Sequence, residues 1–343
     1  MAIQTSEIKW YKPALINDTA TNGGTLSNSE IPDGVKNNVW PDVPQVERTA
    51  GSIKYRKSFI KVANDDDLTL IDPKLFIETQ TPGDDSIVLM SGTQTDTQGD
   101  ADDYTRFYGA GTLDANVAAL DTGITVNVEP GNSAAGHAIF QNGDLIRISN
   151  QTSIDDPSGN SEFLRLAATG GVSWNGDQAT LTLASGVALA NSYLSGSTKV
   201  ASVLEAANIE ASVDGWGESS VAGSYDESAN PPITDHIGTI EQTWIVTFSD
   251  ASNFTCSGNT VGNVGSGSIG GGDFSPNNST FAKPYFTLTD GTPPWGGTWA
   301  SGDTLTFKTH PAAMAIWEKR TVPAGADSLS GNKVVIAISG ESE

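Results

Sequence analysis

Glycines 265, 267 and 270 spell G-x-G-x-x-G in the run GSGSIG. Dinucleotide chemistry needs that turn between a strand and a helix whose N-terminus faces the pyrophosphate. Here the run sits inside TCSGNTVGNVGSGSIGGGDF with no helical pattern after it, which reads as a tight or flexible loop. The three histidines, His137, His236 and His310, lie far apart and none shares a local motif with Cys256, so no metal ligand set is assigned. Asp65–Asp67, Gly99–Asp103 and Asp155–Glu162 offer carboxylate oxygens, but none has the D-x-D-x-D-G spacing of a calcium loop. They read as solvated loops, with calcium left open. There is no G-x-S-x-G, no phosphate-loop lysine and no H-E-x-x-H. Paired carboxylates for glycoside hydrolysis stay open, because their separation in space decides the matter. Trp174, Trp216, Trp295 and Trp299 would line a sugar groove or anchor a core. No catalytic, cofactor-binding or metal-binding residue follows, and a non-enzymatic role is the expectation.

The remaining chemistry is charge. The chain holds 41 acidic and 18 basic residues, a formal net charge of -23. Such a balance keeps a protein soluble and repels nucleic acid and anionic membranes. Positive charge nevertheless collects in IKYRKSFIKV, residues 53–62, as Lys54, Arg56, Lys57 and Lys61, with Arg48 just before. By strand alternation, Ile53, Tyr55, Lys57, Phe59 and Lys61 share one face and Lys54, Arg56, Ser58, Ile60 and Val62 the other. Neither face is clean. A bulge near Lys57–Ser58, or an edge strand passing from one contact surface to another, would account for it. Two readings follow: a lysine-protected edge strand, or a basic strip of Arg48, Lys54, Arg56, Lys57 and Lys61 forming an interface with an acidic surface.

The elements that must position these groups are mainly strands. Runs rich in β-formers recur about every ten residues between Gly, Asn, Asp and Pro clusters, whereas 113–120 (LDANVAAL) is the best helix candidate. The expected fold is mainly β, with two or three sandwich- or barrel-like modules and an extended N-terminal arm. The partition is 1–45 as a loop-rich arm, mobile until it orders on neighbours, then 46–108 as a β module. Residues 109–205 form a strongly acidic β module, a candidate insertion into the first, and 206–343 a C-terminal β module. Asn142-Gly143-Asp144, Asn175-Gly176-Asp177 and Ser301-Gly302-Asp303 each precede a strand-like run, as turn chemistry or as a faint repeat. One cysteine excludes an intrachain disulfide and suits folding in a reducing cytoplasm. The start MAIQTSEIKW lacks a signal-peptide pattern and no apolar stretch has membrane-span length.

Four stretches carry a resemblance. They are residues 3–67 (IQTSEIKWYKPAL to FIKVANDDD), the acidic DLTLIDPKLFIETQTPGDD, the GSGSIGGGDFSPNNSTFAKPYFTL run, and the end GDTLTFKTHPAAMAIWEKRTVPAGADSLSGNKVVIAISGES. Together they resemble uncharacterised virion structural proteins of tailed bacteriophages and prophages, over most of the chain. The resemblance implies a non-enzymatic component of the neck, collar or tail, built as a ring-like homo-oligomer in the host cytoplasm. Its implied partners are copies of itself and other virion proteins, with no cofactor, membrane or specific nucleic acid. The family has no catalytic signature to carry over. A capsid-decoration or carbohydrate- and host-surface-binding β protein is the alternative, and a polysaccharide-degrading enzyme the third reading.

Overall fold

A computed structural model describes residues 2–290 and 294–343. Among these residues strand dominates, with two short helices, Gln45–Ala50 and Gln98–Ala101, and one 3-10 turn. The chain folds as a body that carries two further β units.

The body is two sheets packed face to face. The larger has five strands in the order Gly23–Glu30, Ile8–Leu15, Ser52–Val62, Ala313–Val322, Ser86–Ser91. The smaller has three, Leu204–Glu205, Leu70–Thr79 and Val335–Ser342. Ile60, Leu89 and Ile316 from the first meet Leu75, Ile77 and Ala337 from the second, all buried. Burying a large aliphatic side chain contributes roughly 1.5–3 kcal/mol, so this seam holds the sandwich.

Two elements differ from the sequence reading. The first thirty residues are not a free arm: Ile8–Tyr11 pair in register with Val62–Phe59, and Ile8–Leu15 pairs in turn with Gly23–Glu30. Pro13 and the irregular alternation of KWYKPAL hide the strand, which tolerates both because its pairing with Gly23–Glu30 slips at Pro13. Residues 31–44, between the strand Gly23–Glu30 and the helix Gln45–Ala50, form neither helix nor strand. The C-terminal module of 206–343 is not one unit either. Ala313–Val322 returns to the middle of the larger sheet, paired along its length with Ser52–Val62 and again with Ser86–Ser91.

The chain leaves the body after Gly109 and comes back at Val203. Between lies a seven-stranded antiparallel sheet that closes on itself through the Leu166–Leu183 bridge. Its interior holds Ile124, Val126, Ile146, Ile148, Leu181 and Val200. The 113–120 run is not helical: Leu113 ends a strand and Val117 bridges Tyr193, so barrel pairing overrides the local periodicity. The second excursion, Ser212 to His310, is a five-stranded sheet with two small ribbons around an aromatic core of Trp244, Phe248, Phe254, Phe286, Trp299 and Phe307. Phe248 and Trp299 stack at 4.3 Å.

The Gly-Asp echo is turn chemistry. Gly143, Gly176 and Gly302 all have positive φ (82°, 59° and 93°), which glycine adopts without a Cβ penalty. In two of the three, the aspartate accepts from the backbone three residues back: Gln141 N–H to Asp144 and Ala300 N–H to Asp303.

Candidate functional site

The strand Ser52–Val62 is neither an edge nor bulged. Its ten-pair register with Ala313–Val322 runs unbroken from Lys61–Ala313 to Ser52–Val322. Both faces are covered, so each basic side chain meets its own partner inside the chain. The expectation of one basic strip on a free surface is corrected for three of the five residues: Arg56, Lys57 and Lys61 are 8%, 2% and 1% exposed.

Lys57 points to the face covered by residues 92–104. Its Nζ lies 2.6 Å from Asp96 Oδ1 and donates to the carbonyls of Gly24 (2.6 Å) and Asp96 (3.0 Å). The other carboxylate oxygen of Asp96 accepts from Trp317 Nε1 (2.9 Å) and the Tyr104 hydroxyl (2.5 Å). Burial lowers the Lys57 pKa, with Asp96 opposing the shift. Lys61 crosses to the second excursion, where Nζ donates to the Ile237 carbonyl at 2.6 Å and sits 4.7 Å from the Phe281 ring centre. Burial pushes its pKa down to about 8.

The opposite face carries Lys54, Arg56, Glu318 and Arg320 beyond the cover of the smaller sheet. Here the structure assembles a site that sequence reading missed. Trp40, from the irregular 31–44 segment, lies within cation–π distance of two guanidinium groups, Arg56 at 5.1 Å and Arg320 at 4.6 Å from the ring. The indole Nε1 donates to Glu318 Oε2 at 2.7 Å, and Ser58 Oγ donates to Glu318 Oε1 at 3.1 Å. Burial raises the Glu318 pKa, and the two donors and Arg56 oppose it. Arg320 Nη1 also donates to the Pro41 carbonyl at 3.1 Å.

The site is balanced in charge. Arg56 Nη1 pairs with Asp18 at 2.8 Å, and Lys54 with Asp18 at 2.9 Å and Glu47 at 2.7 Å. Three cations (Lys54, Arg56, Arg320) therefore face three carboxylates (Asp18, Glu47, Glu318). Arg48, half-buried in the helix Gln45–Ala50, contributes its carbonyl, which accepts from Gly325 N at 2.7 Å. Its guanidinium forms no ion pair among the described residues. The cations of this strand each reach a segment distant in sequence: Asp18 and Trp40 for Arg56, Gly24 and Asp96 for Lys57, and Ile237 for Lys61.

The other sequence candidates are dispersed. Glycines 265 and 267 belong to the strand Gly262–Ser268, and a Cβ at Gly267 would fall 2.6 Å from the Phe254 ring. The motif makes room for the aromatic core. Among the described residues no group of three or more His, Cys, Asp and Glu is placed to hold a metal ion. His137 packs on Phe107 at 4.6 Å, and burial, with Lys319 nearby, takes its pKa down to about 4. His310 bridges Glu241 (2.8 Å) and Asp214 (3.3 Å). Trp216 and Trp295 pack against the core of the second excursion, in which Trp299 is buried. Trp174 is half-exposed beside Phe140, Gln141 and Asn142 in an open cleft of about 380 Å³. No protein-family model, curated protein or solved structure matches this chain.

Proposed function

We propose that the protein is a non-enzymatic structural component of a tailed-bacteriophage virion, in the neck, collar or tail, acting as a ring-like homo-oligomer. The observation that carries this reading is how the charged groups of the body are used. Lys57, Lys61, Arg56, Glu318 and Arg320 all hold distant segments together. A scaffold that presents two β units from one braced sandwich suits repeated contacts with neighbours. The resemblance of both chain ends to virion proteins supports the same reading. Its test is mass spectrometry of tailed particles purified from the source host by density gradient. Several copies per particle are expected; recovery only outside the particle fractions would refute it.

A second reading, capsid decoration or carbohydrate and host-surface binding, is favoured by the Trp174 cleft. A half-exposed indole flanked by amide side chains offers a stacking face and hydrogen bonds to a neutral sugar. Titration with host surface polysaccharide, read by Trp fluorescence in wild type and Trp174→Ala, distinguishes it from the first.

A further inference from the structure

Lys57 and Asp96 meet inside the body, their side chains 0% and 5% exposed, with Nζ 2.6 Å from Asp96 Oδ1. An ion pair at that distance normally aims an N–H at the oxygen. This one does not. Nζ donates to the carbonyls of Gly24 (2.6 Å) and Asp96 (3.0 Å), and Oδ1 is buried with no hydrogen bond among the described residues. A buried carboxylate oxygen without a donor is costly, so the arrangement is a poor salt bridge. It suits a different chemistry. A neutral amine has two N–H groups, both committed here to carbonyls, and its lone pair is left for the Asp96 carboxyl beside it. The surroundings are apolar: the buried rings of Phe59 and Trp317 lie 4.8 Å and 5.8 Å from Nζ. Burial lowers the Lys57 pKa, with Asp96 and Asp100 opposing the shift, and so brings the neutral amine within easier reach.

We propose that Lys57 and Asp96 condense into an isopeptide bond once the chain has folded, joining Nζ to Cγ. A proton first passes from Nζ to Oδ1, giving a neutral amine and a neutral acid, the pair that a low-dielectric site favours. The Nζ lone pair attacks Cγ, the N–C bond forms, and negative charge develops on Oδ2. Two donors already hold Oδ2, the Trp317 indole N–H at 2.9 Å and the Tyr104 hydroxyl at 2.5 Å. They act as an oxyanion hole. Burial raises the Tyr104 pKa, with Asp96 adding to the shift, so the hydroxyl keeps the proton it donates. A second proton then moves from Nζ to Oδ1, the Cγ–Oδ1 bond breaks, and one amide and one water result. Oδ1, the oxygen with no hydrogen bond, is the one lost, and the balance needs no further reactant. Well-oriented groups in one chain reach effective concentrations of roughly 10⁵–10⁸ M, which offsets the unfavourable condensation of amine and acid in water. The cross-link closes a loop that contains Leu70–Thr79 of the smaller sheet and Ser86–Ser91 of the larger, so it staples the sandwich. The inference does not depend on where the protein works.

Intact-mass spectrometry of the denatured full chain tests this. Wild type is expected to be lighter than its sequence mass by one water, whereas Lys57→Arg and Asp96→Ala should keep their full masses. Tryptic mapping of wild type should yield one branched peptide that joins the segment beginning at Lys57 to the segment carrying Asp96. Tyr104→Phe removes one of the two donors to Oδ2 and should slow bond formation roughly 100-fold, followed from cell-free synthesis onward. Wild type at its full sequence mass after prolonged incubation in the folded state overturns the proposal, whether or not the variants fold. A water loss that persists in Asp96→Ala belongs to another residue and overturns it too. A Tyr104→Phe chain that closes the bond as fast as wild type overturns the assignment of Oδ2 as the developing oxyanion.

Discussion

Replacing Trp40 with alanine removes a hydrogen bond to an acidic acceptor, two cation–π contacts and the cover over Glu318. A bond to a charged group is worth about 1.5–3 kcal/mol and each desolvated cation–π contact about 0.5–2. Water reaching the vacated site offsets part of this, so a loss of about 2–4 kcal/mol is expected in urea unfolding. A loss below 0.5 kcal/mol would show that the 31–44 segment is not seated in solution. Lys61 gives a pH dependence. Unfolded, the amine keeps its proton up to about 10.5; folded, burial releases it above about 8. Between those values the unfolded chain binds the extra proton, so stability rises with pH, by an amount on the order of 3 kcal/mol. Lys61→Met should flatten the slope between pH 8 and 10 relative to wild type, read from urea midpoints; equal slopes would mean that the ammonium is solvated. Alternation and charge made the basic strand legible as a conflict. What resolves the conflict lies outside the strand, at Trp40, Asp96 and Ile237, which no local pattern of residues 53–62 contains.

The strand Leu70–Thr79 contributes a buried carboxylate to the junction between barrel and body. Glu78, 2% exposed, pairs with Arg147 and, at 3.2 Å, with Lys199, both from barrel strands. Glu78→Gln leaves a buried guanidinium without its counter-charge, which typically costs 3–5 kcal/mol. Glu78→Leu combined with Arg147→Leu should cost clearly less; a double variant as damaged as the single would argue against an uncompensated charge as the cause. The strand Ala313–Val322 makes a related point. It is an interior strand of the larger sheet, fourth of five, so a fragment of residues 206–343 carries a buried strand without its neighbours, whereas 212–310 carries a complete aromatic core. The shorter fragment should give a cooperative near-ultraviolet melt and the longer one should aggregate; the reverse would place Ala313–Val322 in the wrong unit. Strand type and Gly-Asp turns were readable from side-chain period and turn residues. Allegiance was not, because Ala313–Val322 pairs with a strand some 250 residues earlier, and local periodicity carries no record of so distant a partner.

Both excursions begin and end at neighbouring points of the body. Ala110 pairs with Ala201, and Ser212 with His310. Residues directly opposite in antiparallel strands lie about 4.5–5.5 Å apart, so a linker of two or three residues bridges either gap. Removing 110–202 in this way, with Glu78→Leu to avoid a stranded carboxylate, should leave a soluble body with a single urea transition. An insoluble product would mean that Val88 and Phe107, which the barrel covers, cannot tolerate water. The acidity of the barrel fits its place at the end of two short connections. Arg147 and Lys199 turn inward to Glu78 and Arg165 pairs with Glu205 at its root, so Asp114, Asp121, Asp155 and Asp177 have no cation among the described residues.

The paired connection points also bear on inheritance. A DNA segment cut at the codons for residues 109 and 203, or 211 and 311, encodes one complete folding unit whose ends already meet. Recombination at those two places can replace a whole projecting unit while every codon of the body's larger sheet stays untouched. Relatives of this chain should therefore differ by the swapping of entire blocks between those codons, and drift slowly elsewhere.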